Sequence, residues 1–67
     1  MLTNIKKARL IKGIQQKELA EKLGISQVSV CKWEHGKSFP NVKRLKQVAD
    51  ILGTSVESLL PDEERAM

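Results

Sequence analysis

The sequence has few aromatic residues and almost no cysteine. Its 67 residues include one tryptophan, one phenylalanine, no tyrosine, one histidine and one cysteine, Cys31. A single cysteine excludes an intramolecular disulfide, and Cys31 together with His35 cannot complete a structural Cys/His metal site. We therefore expect no metal and no cofactor, and a reducing compartment, the cytoplasm.

Long apolar runs are absent as well. No stretch approaches the roughly 18 apolar residues that a membrane-spanning helix needs. Four basic residues interrupt the region where a secretory signal peptide would be apolar, namely Lys6, Lys7, Arg9 and Lys12. We expect neither membrane association nor export. The sequence also lacks a Ser/His/Asp set and a glycine-rich phosphate loop, so no enzyme is predicted.

The residues that are present suit one small domain with an affinity for polyanions. Hydrophobic residues make up 40% of the chain, enough for a core. The length predicts a single domain over residues 1–61 and a disordered acidic tail over 62–67, with no room for a small-molecule effector domain. The net charge is +4, and residues 61–67 sum to −2, which leaves +6 for residues 1–60. Such an excess attracts nucleic acid, although a merely solvated surface is the alternative.

Apolar residues recur at helical spacing along the chain, and no stretch alternates as a strand would. Three stripes are formed by Leu2, Ile5, Ala8 and Ile11, by Leu19, Ala20 and Leu23, and by Leu45, Val48, Ala49 and Leu52. Glycine ends each of the first four helices, at Gly13, Gly24, Gly36 and Gly53, and good N-cap residues precede the third, fourth and fifth, at Ser26, Asn41 and Ser55. The pattern predicts an all-α domain with helices over 3–13, 16–23, 27–35, 41–52 and 56–60.

The connection between the second and third helices is the most informative segment. Only Gly24, Ile25 and Ser26 separate the two predicted helices. A turn that is this short and contains glycine makes the two helices cross at a steep angle, about 90–120°. Ile25 is expected to point inward and anchor the turn.

The third helix is predicted to have a buried side and a polar outward side. At about 100° per residue, Val30 and Trp33 lie on the side that faces the domain. The outward side carries Gln27, Val28, Cys31 and Lys32. Glutamine can pair with adenine, lysine can donate to guanine, and valine can contact a thymine methyl in the major groove, which an α-helix fits. The outward side is therefore a candidate for reading base edges.

From Gln16 to His35 the sequence resembles the helix-turn-helix of phage-repressor-like regulators, the Cro and lambda-repressor type that is also called the XRE family. The matching residues are Gln16, Leu19, Ala20, Leu23, Gly24, Ile25, Ser26, Val30, Trp33, Glu34 and Gly36. The resemblance continues through Pro40, Leu45, Ala49, Leu52, Gly53, Val56, Leu59 and Leu60, and covers about residues 4 to 60. It implies a five-helix, lambda-repressor-like DNA-binding domain.

The resemblance also implies roles for individual residues. It assigns base contacts to Gln27, Val28 and Lys32, and contacts with the DNA backbone to Gln16, Ser29, Lys37 and Ser38. Gln16 matches a position that often braces the first base-reading glutamine as well. Arg9 and Glu34 match a pair that locks the reading helix against the first helix, and Ala20 matches a small residue at the close crossing of helices two and three. Cys31 and Val28 make the outward side less polar than in many relatives, so the family implies no particular operator sequence.

For several of these residues, ordinary solvation or packing is the alternative to a functional role. Lys32 can be a solvated lysine, Val28 can pack locally or meet a partner, and Trp33 is expected in the core rather than stacked on a base. Cys31 can be a plain thiol or a redox switch. His35, Lys43 and Arg44 are candidates for a phosphate contact or for simple solvation, and Lys46 is a weaker one.

The sequence as a whole predicts a transcriptional regulator, a repressor, that binds a palindromic site on double-stranded DNA as a homodimer. One domain reads few base pairs, and two half-sites on one face of the duplex lie about 34 Å apart. The candidates for the dimer interface are Phe39, Val56, Leu59 and Leu60, although Phe39 can instead fold back on the fourth helix. The alternative function is a protein-interaction module, such as an antitoxin or an adaptor, with weak DNA binding.

Overall fold

The computed structural model describes residues 3–61, and these form five α-helices. The helices are α1 (Asn4–Lys12), α2 (Gln16–Leu23), α3 (Gln27–Glu34), α4 (Val42–Leu52) and α5 (Val56–Leu59). The prediction of an all-α, five-helix domain is confirmed, with helix ends that differ from the predicted ones by one residue at most. Leu2 and the acidic segment 62–67 lie outside the described residues.

Local capping explains where the helices begin and end. The side chains of Ser26, Asn41 and Ser55 accept hydrogen bonds from the backbone N–H groups of Ser29, Arg44 and Ser58, as predicted. Thr3 does the same for α1. Gln15 precedes α2 and makes no side-chain capping bond. The third helix ends one residue earlier than predicted, because His35 rather than Gly36 is its C-cap.

The turn between α2 and α3 contains the left-handed glycine that the sequence predicts at the end of α2. Gly24 has φ +71°, a left-handed conformation that residues with a Cβ rarely adopt. The N–H of Gly24 donates to the Glu21 carbonyl and that of Ile25 to the Ala20 carbonyl, which are the two bonds of a Schellman motif. Ile25 is half-buried and packs against the core, so the turn is anchored from inside.

The core lies where the five helices meet. It contains Ile5, Leu19, Ala20, Leu23, Val30, Trp33, Leu45, Val48, Ala49, Leu52 and Leu59. Ala20 is 3% exposed, which is consistent with a small residue where α2 and α3 cross closely. Because every helix contributes at least one of these side chains, the position of α3 depends on the packing of the whole domain.

The first apolar stripe was predicted wrongly at one position. Ile11 is 87% exposed, although it was expected to extend the stripe of Ile5 and Ala8. The buried residue one turn after Ile5 is Arg9, which is 8% exposed. Helical spacing alone assigns the buried side of α1 to apolar residues, and it cannot detect a charged side chain that has a buried partner.

The prediction of Leu59 as a dimer contact is also wrong for the folded domain. Leu59 is 1% exposed and belongs to the core, and Val56 and Leu60 are half-buried and pack against it. The reason is the shortness of α5: its few apolar side chains complete the core and do not form an outward stripe. Phe39 remains 45% exposed.

Trp33→Ala tests whether α3 is held through its buried side. Trp33 is 8% exposed, and truncating a buried tryptophan costs about 3–5 kcal/mol of stability. Denaturant unfolding of the variant is expected to show a loss of this size. Val28→Ala, on the exposed side of the same helix, is the control and should change stability by no more than about 0.5 kcal/mol. Equal stabilities for both variants would contradict the assignment.

Candidate nucleic-acid interface

Gln27, Val28, Cys31 and Lys32 form the outward side of α3, the reading face. Val28 is 62% exposed, Gln27 and Lys32 are exposed, and Cys31 is half-buried. On the opposite side of the helix Val30 is completely buried. The prediction that α3 is anchored by one side and open on the other is confirmed, and no residue between 3 and 61 covers Val28 or Lys32.

A buried ion pair fixes α3 to α1. The Arg9 guanidinium donates from Nε to Glu34 Oε2 at 2.6 Å and from Nη2 to Glu34 Oε1 at 3.0 Å. Its Nη1 donates to the Ile14 carbonyl at 2.8 Å. Paired, parallel bonds of this kind are the strongest geometry for arginine and carboxylate. The predicted pairing is confirmed, and it lies in the interior, because Arg9 and Glu34 are 8% and 3% exposed.

Two glutamines extend this ion pair to the surface. Gln16, the first residue of α2, donates from Nε2 to Glu34 Oε1 at 3.2 Å. Gln27, the first residue of α3, donates from Nε2 to Gln16 Oε1 at 3.1 Å. We call Arg9, Glu34, Gln16 and Gln27 the polar relay. The relay links the buried interior to the candidate base-reading side chain through direct hydrogen bonds, so the bracing of Gln27 by Gln16 is present in the domain on its own.

Of the residues assigned to the DNA backbone, Gln16 begins α2, and Ser29, Lys37 and Ser38 lie in the first turn of α3 and just after its end. Ser29 is half-buried, and its hydroxyl is 3.3 Å from that of the N-cap Ser26. Lys37 and Ser38 are exposed in the loop between α3 and α4. The backbone N–H of Lys37 donates to the Lys32 carbonyl at 2.9 Å, which holds the start of this loop against the end of α3.

Cys31 and His35 contact each other one turn apart at the end of α3. His35 Nδ1 is 2.8 Å from the Cys31 carbonyl oxygen and 3.4 Å from Cys31 Sγ. A carbonyl oxygen only accepts, so Nδ1 carries the hydrogen, and in the neutral ring Nε2 is left as an acceptor. A neutral His35 therefore has no free ring donor for a phosphate. Among residues 3–61 no group of three or more His, Cys, Asp or Glu could hold a metal ion.

Arg44 has a role that the sequence did not reveal. Its Nη1 donates to the Leu23 carbonyl and to Gln47 Oε1, both at 2.9 Å. The guanidinium thereby satisfies a carbonyl at the end of α2 and ties α4 to the helix-turn-helix. Sequence reasoning considered Arg44 only as a phosphate contact, and no local pattern connects two residues that lie 21 positions apart. Lys43, beside it, is exposed.

Comparison with known proteins identifies the architecture. A helix-turn-helix family model matches residues 5–59, which is most of the described domain. The chain belongs to the phage-repressor-like, or XRE-type, helix-turn-helix family. It thus carries the helix-turn-helix DNA-binding domain of that family. None of its described helices is long and apolar enough to span a membrane.

Relatives of this helix-turn-helix protein include regulators from bacteria and an archaeon. It is 35% identical over 60 residues to the HTH-type transcriptional activator BcrR of Enterococcus faecalis, covering 90% of this chain and 29% of BcrR. It is 41% identical over 56 residues to the prophage-derived HTH-type transcriptional regulator YonR of Bacillus subtilis, covering 84% and 52% of the two chains. For the regulator MJ0272 of Methanocaldococcus jannaschii the identity is 30% over 64 residues, with 96% and 97% covered. The chain therefore spans about half of YonR or less than a third of BcrR.

A solved structure supports the same architecture. The hypothetical transcription factor NHTF from Neisseria superposes with a TM-score of 0.75 at 30% sequence identity. The match covers 92% of this chain and 72% of that protein. The family assignment therefore rests on the sequence comparisons, and the structural match supports the fold.

Arg9→Met tests the ion pair of this helix-turn-helix domain. Removing one partner of a buried pair leaves an uncompensated charge and costs about 3–5 kcal/mol. The variant is expected to lose stability of that order in denaturant unfolding. The double variant Arg9→Met/Glu34→Leu removes both charges and should recover much of the loss. If Arg9→Met unfolded at the same denaturant concentration as the parent protein, the ion pair would make no contribution to stability and this assignment would be wrong.

Proposed function

We propose that this protein is a transcriptional regulator that binds a specific sequence of double-stranded DNA by placing α3 in the major groove. The observation that carries the proposal is the two-sided character of α3. Its apolar side is locked into the core by Val30 and Trp33, whereas Val28 and Lys32 are open to a partner. An α-helix fits the major groove of B-form DNA, where each base pair presents a distinct pattern of donors, acceptors and methyl groups.

The reading face offers three different chemistries to base edges. Gln27 presents an amide, which can both accept and donate. Lys32 presents a cation, which donates to the acceptors of guanine. Val28 presents methyl groups, which can contact the methyl group of thymine. A surface that combines these groups over little more than one helical turn can distinguish neighbouring base pairs.

Contacts with the DNA backbone would set the position of α3 on the duplex. We assign them to Gln16, Ser29, Lys37 and Ser38, which flank the reading face, and to Lys43, at the start of α4. Residues 1–60 carry a net charge of +6, which favours association with any duplex through the release of counterions. Arg44 is already bonded within the domain, so we assign it to supporting the turn.

We further propose that the protein acts as a homodimer on a palindromic operator in the cytoplasm. Two copies would read half-sites about 34 Å apart, one helical turn of DNA. We propose Phe39 and the exposed parts of the half-buried Val56 and Leu60 as the dimer interface. Leu59 is not part of this interface, because it is buried in the core. Occupancy of the operator would block polymerase, which makes the protein a repressor. BcrR carries the name of an activator, and the same DNA-binding step would serve either outcome.

Selection from a random pool of duplexes tests this function. The protein is expected to enrich a palindrome, and the selected site should bind at least ~10³-fold more tightly than random DNA at physiological salt. Affinity for both should fall steeply as salt increases. A protein-interaction module with weak DNA binding would enrich no sequence and show no such ratio.

A matched pair of variants places the binding surface. Val28→Asp and Ile11→Asp introduce the same charge at exposed positions, on the reading face and on α1. An aspartate against the DNA repels it, so Val28→Asp should weaken binding to the selected site by at least about 100-fold. Ile11→Asp, which has the same effect on net charge, should change affinity by only about threefold or less. Equal losses would contradict binding through α3.

A further inference from the structure

We propose that His35 forms a contact with the DNA backbone only when its imidazole ring is protonated, so that DNA binding strengthens as the pH falls. The inference rests on the proposed function, because it assumes that α3 lies in the major groove. His35 is the single histidine of the sequence. Histidine is the side chain whose charge ordinarily changes between about pH 5 and 8, so one residue would carry this response.

His35 lies at the end of α3, on the same side of the helix as the reading face. It follows Val28 by seven positions, close to two full turns, and Cys31 by four, about one turn. Its side chain is exposed, as is that of Val28. The first residues of a reading helix contact base edges in the groove. The side chain at the last position of the same side is therefore left beside the phosphates that border the groove.

Two hydrogen bonds to one carbonyl fix the ring of His35. The Cys31 carbonyl oxygen accepts from the backbone N–H of His35 at 3.0 Å and lies 2.8 Å from ring Nδ1. The Nδ1 hydrogen is therefore used within the helix. The other ring nitrogen, Nε2, has no hydrogen-bond partner among residues 3–61. Nε2 is thus the atom that the ring presents to a molecule outside the domain.

Protonation reverses what Nε2 offers to a phosphate. In the neutral ring Nε2 has a lone pair and no hydrogen, and a phosphate oxygen cannot donate one to it. In the protonated ring both nitrogens donate, so Nε2 gains a hydrogen while Nδ1 keeps its bond to Cys31. The ring also becomes positively charged, and a charge-assisted hydrogen bond to phosphate is stronger than a neutral one. The contact would therefore exist in the protonated state alone.

The domain itself supplies no anion to the His35 ring. Lys32 precedes it by one turn, and Lys37 follows it in the loop. Arg9 of α1 faces α3, but it is bonded to Glu34 on the buried side. Within residues 3–61, no hydrogen bond or ion pair joins α3 to the charged side chains of α2, which are Lys17, Glu18, Glu21 and Lys22. A DNA phosphate would therefore be the first anion to meet a protonated His35.

The experiment measures the salt dependence of binding to the selected duplex at about pH 5.5 and about pH 7.5, on either side of the ordinary histidine range. Each phosphate contact contributes about −0.9 to the slope of log K against log salt, so the slope should be steeper by about 0.9 for each bound chain at the lower pH. At low salt the affinity should be about fivefold higher or more at the lower pH, as a hydrogen bond to a charged group allows.

Two variants at the same position imitate the two states of the ring. His35→Gln is uncharged at both pH values, so its affinity and its salt slope should be nearly the same at both. His35→Arg is charged at both pH values, so it should show the steeper slope at both. Because His35 is exposed, both variants are expected to fold, and circular dichroism at each pH checks that they do.

The outcomes separate the inference from the proposed function. If the parent protein binds its selected site with the same affinity and slope at both pH values, the inference is wrong and the function stands. A His35→Gln variant that keeps the pH response of the parent protein would also overturn the inference, because the proton would then bind elsewhere. The absence of a preferred sequence at either pH would overturn the proposed function itself.

Discussion

The structure depends on one interaction between a charged residue of α1 and a charged residue of α3. Arg9 and Glu34 are both buried and bond to each other through two parallel N–H···O contacts. In a chain of 67 residues, burying two charges is a substantial desolvation cost, and it is offset only because their hydrogen bonds are satisfied. No buried polar side-chain atom among residues 3–61 lacks a partner. The pair also fixes the end of α3 relative to α1 with a directionality that apolar packing cannot provide.

The same helix serves the core and the candidate interface without conflict, because the two tasks use opposite sides of it. Val30 and Trp33 are buried and stabilise the domain, whereas Gln27, Val28 and Lys32 are exposed and do not form part of the core. A short turn through Gly24 and the bond from Arg44 to the Leu23 carbonyl hold α2 and α3 at a fixed angle. A reading surface built on a rigid helix loses little conformational freedom on binding, which favours specificity.

Much of the fold was predictable because its determinants are local. Glycines with positive φ end α1, α2 and α4, and Ser26, Asn41 and Ser55 cap the starts of α3, α4 and α5, so the sequence alone locates the helices to within a residue. The errors concern tertiary contacts. Helical spacing predicted that Ile11 is buried, whereas the buried residue of that turn is Arg9. Leu59 was predicted to lie on the surface, whereas the apolar side chains of the four-residue α5 are needed to complete the core. The pairing of Arg9 with Glu34 came from family resemblance. Neither source indicated the bond from Arg44 to Leu23, since it joins two helices at positions far apart in the sequence.

The most direct test of the central claim is nuclear magnetic resonance of the labelled protein, free and bound to a selected duplex. The Arg9 Nε–H resonance is expected to keep nearly the same chemical shift in both states, because the ion pair with Glu34 is formed in both. On binding, the side-chain amide resonances of Gln16 and Gln27 are expected to shift, and the Val28 methyl groups should show contacts to major-groove protons. Contacts that instead map to α1 around Ile11, with Val28 and Gln27 unaffected, would contradict the central claim.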